Sequence, residues 1–385
     1  MSLTSLTSFC SKPAASESIY RHCIPDFAAN ALDDLYGNLH SSLATLNFTN
    51  LSETSTYVKW MEESNSNNPA SIFLFQKLGP SLRVVNEGMR LKKNEINHFC
   101  EYVFANDQQI NRIDFHAVVP PQQRLSRPNL RWVCTEDIVI TLPNDEQNYL
   151  NQLGKATRKS IKKHLTRAQR ELPNFNHSIQ RGNQVSEDAL MKIVGFNHSR
   201  MASKEKLSAL DSQTTKQLLA IIRSHGIVGL VNSDRGMGAG TLACRFGDDV
   251  FSLITAHDPT YDAFGFGTLS RHLMIIHSIQ TGAKRFHLLG GNMSSKRSAL
   301  GVRETLEHLT VYRSPVDMLR DPKFTLQLAT NAAKYHLHRW LEDQSAKSES
   351  SGMTRFIHAL RQSIRAWRRW GSLSKTPALT RGSQP

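Results

Sequence analysis

The two halves of the chain repeat one order of predicted secondary structure, and this repeat constrains the fold more than any other feature. In the first half, the segments "SLRVV" and "INRIDFHAV" predict strands on either side of a helix whose apolar positions include Ile96 and Phe99. In the second half, "DDVFSLITAH" and "AKRFHLLGG" predict strands on either side of a helix with Leu269 and Leu273. We infer an internal duplication of an α/β unit, with the join near residues 143–152.

The remaining segments complete this outline. "ALDDLYGNLHSSLATL" and "STYVKWMEES" predict helices, and "ASIFLFQKLG" predicts a strand. The glycine-punctuated run from residue 225 to residue 257 predicts three strands of an antiparallel meander. Residues 1–18 are rich in serine and threonine and poor in large apolar side chains, so we expect them to be disordered.

The excess of basic residues is concentrated in two segments of an otherwise balanced chain. Residues 153–170 and residues 351–385 each contain seven lysines or arginines and no acidic residue, and together they match the formal net charge of +14. The first segment predicts a helix, from about residue 151 to residue 172, with a narrow apolar seam and a basic surface. That surface is either a solvated helix face or a docking site for a polyanion, such as an acidic carrier or tRNA.

The second basic segment predicts an amphipathic helix over residues 355–370. Its two tryptophans fall on the apolar half of the helix, opposite four arginines. This pattern is typical of a helix that lies on an anionic membrane surface, although a helix packed on the protein body or on a nucleic acid would show it too.

The cysteines and the N-terminus indicate a cytoplasmic protein. The 5 cysteines are widely spaced and form no C-x-x-C pair, which favours a reducing compartment. The N-terminus lacks the basic start and apolar core of a secretory signal, and no metal-ligand spacing emerges from the histidines, so we expect no metal. If residues 355–370 contact a membrane, the protein would be peripheral at the inner membrane surface.

Three runs occur in the order found in one branch of a known transferase superfamily. They are "YLNQLGKATRKSIKKHLTRAQREL" (149–172), "NHSR" (197–200) and "FGTLSRHLMIIHSIQTGAKRFHLLGGNMSSKRSALG" (266–301). Through these runs the chain resembles the CelD-like branch of the GNAT acyltransferase superfamily, which is related to the FemAB-type transferases with two GNAT-like lobes.

The resemblance implies an α/β (α+β) fold of tandem GNAT-like lobes, each with a mixed, mostly antiparallel sheet flanked by helices. It places a degenerate lobe at residues 19–145, an acyltransferase lobe at residues 146–315 and a helical basic tail at residues 316–385.

The resemblance also implies an acyl-CoA donor, such as acetyl-CoA, at the turn that begins "FGFGTLSRHL". Gly265 and Gly267 would allow the donor to approach the backbone closely, and the N–H groups of Gly267, Thr268 and Leu269 would face its pyrophosphate. The superfamily has a hydrogen-bond donor where this chain has Asp262. A plain strand-to-helix turn is therefore the alternative.

Proton transfer from an attacking amine would need a base near that turn. His257, Asp258 and Tyr261 close or follow the preceding strand, His287 occupies the position of the family's Asp, and Lys296 is shared with the family. Each also has an ordinary structural explanation: a capping Asp, a loop His, a buried hydrogen-bonded His or a solvated Lys.

Three basic side chains are candidates for binding an acidic group of the substrate. Arg200 matches the family's Arg, and Lys296 and Arg297 follow a glycine-rich loop. A tether between helix and body is the alternative role for Arg200.

From the resemblance we expect an N-acyltransferase that acts on an amine such as an amino sugar in cell-envelope or exopolysaccharide biosynthesis. Two alternatives stay open. A FemAB-like transferase that uses aminoacyl-tRNA would account for the basic helix and for Asp262. A non-catalytic GNAT-like scaffold that binds membrane or nucleic acid would account for His287 and Ser295 at positions where the family has Asp and Tyr.

Overall fold

The computed structural model describes residues 17–46, 54–61, 69–203, 210–290 and 296–347 of the chain. The predicted amphipathic helix over residues 355–370 lies outside the described residues, as do residues 1–16 of the predicted disordered N-terminus. Glu17 and Ser18, which were predicted to be disordered, belong to the first strand because they pair with Lys59 and Val58. Within the described ranges, no helix is long and apolar enough to cross a membrane.

The predicted duplication is present as two copies of one element order. The first copy consists of β1 (Glu17–Tyr20), α1 (Ala28–Tyr36), α2 (Leu43–Leu46), β2 (Ser55–Trp60), β3 (Pro69–Leu78), β4 (Ser81–Val84), α3 (Lys93–Asn106), β5 (Arg112–Val118) and β6 (Asn129–Thr141). The second copy consists of β7 (Asn176–Arg181), α6 (Glu187–Ala202), α7 (Ser212–His225), β8 (Gly226–Ser233), β9 (Gly236–Phe246), β10 (Asp249–His257), α8 (Phe266–Gln280), β11 (Arg285–His287) and β12 (Val302–Tyr312).

Two helices join the copies and two follow them. The connection consists of α4 (Glu146–Gln152) and α5 (Lys155–Glu171), and the chain continues into α9 (Pro315–Leu319) and α10 (Pro322–Lys347). The predicted basic helix is therefore shorter than expected, because Leu153 and Gly154 separate α4 from α5 and Gly154 is the N-cap of α5.

All the described strands form one twelve-stranded sheet in which the copies exchange their last strands. The order is β1-β2-β3-β4-β5-β12-β6-β11-β10-β9-β8-β7, so β12 of the second copy pairs with β5 of the first, and β6 of the first pairs with β11 of the second. Only β4–β5 and β10–β11 are parallel among the described strand pairs. The sheet is thus mixed and mostly antiparallel, as expected.

Helices cover both copies through buried apolar side chains. In the first copy, Phe99 of α3 packs on Phe73 and Phe115. In the second copy, α8 contributes Leu269 and Met274 to one cluster, whereas α6 and α7 belong to another. Burying such side chains contributes about 25 cal/mol per Å² of apolar surface, which makes these clusters the main source of stability.

The segment "STYVKW" forms strand β2, and the prediction of a helix there is wrong. Tyr57 and Val58 are both 0% exposed, because β2 lies between β1 and β3 and is covered on both faces. A strand buried on both faces loses the apolar/polar alternation that identifies strands in a sequence, while its β-branched and aromatic residues still favour a strand.

The chain divides into two compact units, residues 1–325 and residues 326–385. The first unit contains the whole sheet. Because the exchanged strands join both copies within it, the lobe boundaries at residues 145/146 and 315/316 stay predictions.

Candidate functional site

The second copy has an opening in its sheet where β10 and β11 separate. The two strands pair in parallel over three residues only, and Phe251–His287 is the last pair. Beyond it the chain turns away from β10, because the Leu288 amide donates to the Ile138 carbonyl at 2.7 Å and Leu289 takes a left-handed φ of 58°. Residues 252–257 of β10 therefore pair with β9 alone among the described strands, which leaves one backbone edge open.

The corresponding opening in the first copy is closed. After β4 and β5 end their parallel pairing at Val84 and Phe115, the following segments pair again. The Gly88 amide donates to the Ala117 carbonyl at 2.8 Å, and the Leu91 amide donates to the Val119 carbonyl at 3.0 Å. Of the two copies, the second is therefore the one that can accept an extended ligand along a strand edge.

Helix α8 begins beside the open edge, at the predicted donor-binding turn. The amides of Thr268 and Leu269 both donate to the Gly265 carbonyl, at 2.9 and 3.0 Å, so these two predicted N–H groups are already engaged. The amides of Phe266 and Gly267 have no hydrogen-bond acceptor within the part of the chain that the structure describes. Two N–H groups at the positive end of the helix dipole remain for an anion.

Two histidine rings pack against the glycines of this turn. A Cβ at Gly267 would lie 2.7 Å from Nδ1 of His257, and a Cβ at Gly265 would lie 2.7 Å from the His164 ring. Nε2 of His257 lies 2.6 Å from Oδ1 of Asp262, so that the acidic residue of the turn pairs with an imidazole. The Cβ positions of both glycines are thus filled by imidazole rings, and the Phe266 and Gly267 amides are the groups of the turn that remain for an anion.

The basic helix α5 packs directly on the same turn. Its Arg167 donates to the Ala263 carbonyl at 3.0 Å and lies over the Phe264 ring, 4.9 Å from the centroid. The exposed surface of α5, which we call the cationic face, consists of Lys159, Lys162, Lys163, Thr166, Arg167, Arg170 and Glu171. Glu171, its one acid, is already paired with Arg167 and Arg170.

A cavity of about 550 Å³ lies between the two copies, on the central strands of the sheet. Its polar lining comes from both copies and from both exchanged strands: Asn38, His40, Glu87, Arg90, His116, Glu136, Asp137, Asp249, Arg285, His287 and Glu304. The size falls within the range of small-molecule sites, and the density of ionisable groups suits a polar ligand. We call this space the inter-copy cavity.

His287 is the most constrained of these side chains. It is 2% exposed, stacks on Phe251 at 4.1 Å between centroids, and places its Nδ1 2.6 Å from Asp137 and its Nε2 3.2 Å from Asp249. Burial opposes protonation, but the hydrogen bonds to the two carboxylates outweigh burial and raise the pKa of His287. Where the family has an aspartate, this chain thus has a histidine that is hydrogen-bonded to two aspartates.

Lys296 anchors the segment that leaves β11. Its ammonium donates to the carbonyls of Leu288, Leu289 and Gly290 at 2.5, 2.7 and 2.8 Å. Burial lowers the pKa of Lys296 to about 8, so the ammonium is retained at neutral pH. The ammonium is engaged by the backbone, so the predicted role of Lys296 in substrate binding is limited to holding residues 288–290 in place.

The other predicted residues are dispersed. Asp258 caps a short 3₁₀ helix by accepting from the Thr260 amide, and Tyr261 is buried with its hydroxyl 2.8 Å from the Ser233 hydroxyl. Arg297 is exposed. Arg200 donates to Asn197 at 2.9 Å, and burial lowers its pKa. The structure therefore brings His257 to the donor turn and His287 to the cavity, and it keeps Asp258 and Tyr261 in structural contacts.

Comparison with known proteins supplies the family of the second copy. Residues 155–297, from the start of α5 to just beyond β11, match the family model described as an acetyltransferase (GNAT) domain. We refer to this segment, which is similar to that family, as the GNAT domain. No curated protein matches the chain by sequence.

Solved structures extend the likeness to both copies. The crystal structure of FemX is 10% identical, and the match covers 78% of this chain and 99% of FemX with a TM-score of 0.56. L-PGS from Bacillus licheniformis is 14% identical, with 81% and 98% of the two chains covered and a TM-score of 0.48. The likeness to FemX shows a shared fold over most of this chain.

Most of the residues that line the inter-copy cavity were not predicted from the sequence. Asp137, Glu87 and Glu304 lie on or after strands that carry no motif, and their partners are far along the chain. His116 had one usable signal. It follows a strand phenylalanine in "DFHAV" as His287 does in "RFHLL", at matching places of the duplicated unit.

Proposed function

We propose that the GNAT domain transfers an acyl group to an amine that is bound in the inter-copy cavity. The observation that carries this proposal is the adjacency of two features. Leu289 and Gly290, which leave β11 at the opening beside β10, also line the cavity. A donor along the open edge of β10 would therefore present its acyl carbon to an acceptor in the cavity.

In this reaction the acceptor nitrogen forms a bond to the acyl carbon, the bond to the donor's sulfur or oxygen breaks, and the amine loses a proton. Asp137 and Asp249 would attract the ammonium form of the acceptor, and His287 between them fixes both carboxylates. We propose that the two carboxylates of this acid–histidine–acid group bind the acceptor and that His287, when its imidazole is neutral, takes up the proton. An amino sugar is the acceptor that the family resemblance suggests.

The first candidate donor is an acyl-CoA. The open edge of β10 would hold its extended arm, the amides of Phe266 and Gly267 would face its diphosphate, and His257 would lie beside that anion. An acyl-CoA supplies a thioester that is already activated for attack, and coenzyme A leaves as the thiol.

The test measures thiol release from acetyl-CoA by the full chain in the presence of a panel of amines. We expect release that depends on the amine and falls at least about tenfold in Asp137→Asn, because a charge-assisted contact to the acceptor is lost. Asp26→Asn, which replaces an exposed aspartate outside the cavity, is the matched control. No thiol release, together with no rise in melting temperature at millimolar acetyl-CoA, would exclude coenzyme A as donor.

The second candidate donor is an aminoacyl-tRNA. It is favoured by the cationic face, which runs along α5, because Arg167 of the same helix also donates to the backbone of the turn before α8. A polyanion on that face would be positioned with one end beside helix α8.

Binding of unfractionated tRNA at several salt concentrations tests this donor. Replacing Lys159, Lys162 and Lys163 with glutamine should lower the slope of log K against log salt by about 2 to 3, because three phosphate contacts are lost. Replacing the exposed Arg124, Lys216 and Lys323 is the charge-matched control. An equal slope for both triple variants would remove the argument for tRNA.

A further inference from the structure

The two copies contribute matching histidines to the inter-copy cavity. His116 on β5 and His287 on β11 each follow a fully buried phenylalanine, Phe115 or Phe286, and each strand is parallel to its preceding neighbour. Each imidazole is also bound to carboxylate. Nδ1 of His116 lies 2.8 Å from Glu87, whereas His287 contacts two acids.

The balance of charge differs between the two walls. On the wall beside β5, the acid Glu87 is accompanied by His116 at 2.8 Å and by Arg83 at 3.9 Å, and Arg90 lines the cavity beside them. Contact with the Cys134 sulfur and with Glu87 raises the pKa of His116 to about 10, so this imidazole is cationic at neutral pH. The wall beside β5 therefore has more cations than acids.

The wall beside β11 is balanced instead. Asp137 of β6 and Asp249 of β10 share His287, and Arg285 lies 3.8 Å from Asp249. Glu304 lies between the walls, where it pairs with Arg285 at 3.4 Å and with Arg90. The wall next to the β10–β11 opening thus holds two carboxylates matched by two basic groups, whereas the opposite wall holds a surplus of cation.

We propose that the acceptor is an amine that also carries an anionic group, a carboxylate or a phosphate, and that His116 and Arg90 bind this second group. The ammonium would lie at Asp137 and Asp249, beside the opening through which the acyl group arrives. This inference rests on the proposed acyl transfer and names the class of its acceptor.

The side chains that would bind the second group are accessible to it. The His116 side chain is 39% exposed and the Arg90 side chain is 50% exposed, in contrast to the buried His287. His116 and Arg90 each keep an exposed side beyond their contacts with Glu87 and Glu304, and guanidinium and imidazolium groups suit both carboxylate and phosphate oxygens.

The experiment compares amines that differ only in the anionic group. Binding of D-glucosamine is measured by calorimetry against D-glucosamine 6-phosphate, and binding of L-alaninamide against L-alanine. We expect the anionic member of at least one pair to bind about tenfold more tightly, as one or two charge-assisted hydrogen bonds allow. The pair that shows the preference identifies the anion as phosphate or carboxylate.

Two variants and one control assign the preference to the proposed wall. His116→Gln and Arg90→Gln should each remove most of it, whereas Arg124→Gln, which replaces an exposed arginine outside the cavity, should leave it unchanged. Circular dichroism confirms that each variant is folded. The proposal fails if no anionic member binds more tightly, or if the preference survives in both variants.

The same samples separate this inference from the proposed function. If neutral amines are acylated as well as their anionic counterparts, acyl transfer stands and the second group is refuted. If the anion preference depends on His116 and Arg90 but no amine is acylated with any donor, the anion-binding wall stands and acyl transfer is refuted.

Discussion

Replacing Asp137 with asparagine tests the acid–histidine–acid group most directly. The substitution removes the carboxylate that lies 2.6 Å from Nδ1 of the almost fully buried His287, while Asp249 remains 3.2 Å from Nε2. Removing a partner from a buried ion pair costs about 3–5 kcal/mol when the other charge is left alone. Because one carboxylate stays, we expect a loss of about 2 kcal/mol in the free energy of unfolding.

The pH dependence of this loss has a definite sign. Burial opposes ionisation of Asp137, but the hydrogen bond and charge of His287, with the Ile138 amide and His40, together outweigh it and lower the Asp137 pKa below its ordinary 3.8, whereas the His287 pKa is raised above its ordinary 6.5. The Asp137 contribution is present above pH 3.8 and is lost as the pH falls through its folded pKa. The His287 contribution is present below pH 6.5 and is lost as the pH rises through its folded pKa.

Urea unfolding followed by tryptophan fluorescence measures the difference between the parent chain and Asp137→Asn. The difference should be largest between pH 3.8 and 6.5 and should shrink at alkaline pH, once His287 is neutral. Asp26→Asn should unfold like the parent chain at every pH. A destabilisation by Asp137→Asn that is independent of pH, or one that grows with pH, would refute the ion-pair explanation.

Three further substitutions examine the donor turn and its surroundings. Gly267→Val should lower the melting temperature by several degrees and abolish donor binding, because the new Cβ would lie 2.7 Å from Nδ1 of His257. Calorimetric scanning measures the melting temperature and titration measures donor binding. Unchanged binding would contradict the role of this turn. Tyr261→Phe should cost about 1 kcal/mol in urea unfolding, since it leaves the Ser233 hydroxyl without its partner, while catalysis is unaffected; a specific loss of rate would instead support a catalytic Tyr261. Lys296→Met should speed amide hydrogen exchange in residues 288–290, because the Lys296 ammonium binds their carbonyls in the parent chain. Arg297→Met is the control. Unchanged, slow exchange in Lys296→Met would contradict the anchoring role.

Local sequence patterns predicted the elements that have one polar face, and failed where both faces are buried. The helices around Phe99 and Leu269 show apolar positions at helical spacing and appear as α3 and α8. Strand β2 was mistaken for a helix because all but one of its six residues are buried. Burial on both faces depends on neighbours in the sheet, and no window of sequence contains them.

The strand exchange was beyond local prediction for a different reason. Pairing of β12 with β5 brings Tyr312 beside Arg112, and pairing of β6 with β11 brings Ile140 beside Phe286. Such contacts are set by the duplication as a whole rather than by turn residues. The cavity was hard to predict for the same reason. The family resemblance pointed to His287, but nothing in the sequence pointed to its partner Asp137.

The exchange also explains why the candidate site belongs to both copies although only the second matches the GNAT family model. Asp137 lies on β6 of the first copy and holds His287 of the second, while Glu304 lies on β12 of the second copy and holds Arg90 of the first. Two ionic contacts of the cavity therefore join residues from different copies. The first copy has closed its own strand opening through Gly88 and Leu91. In the proposed reaction, the second copy would thus provide the opening for the donor, and the first copy would provide part of the wall that binds the acceptor.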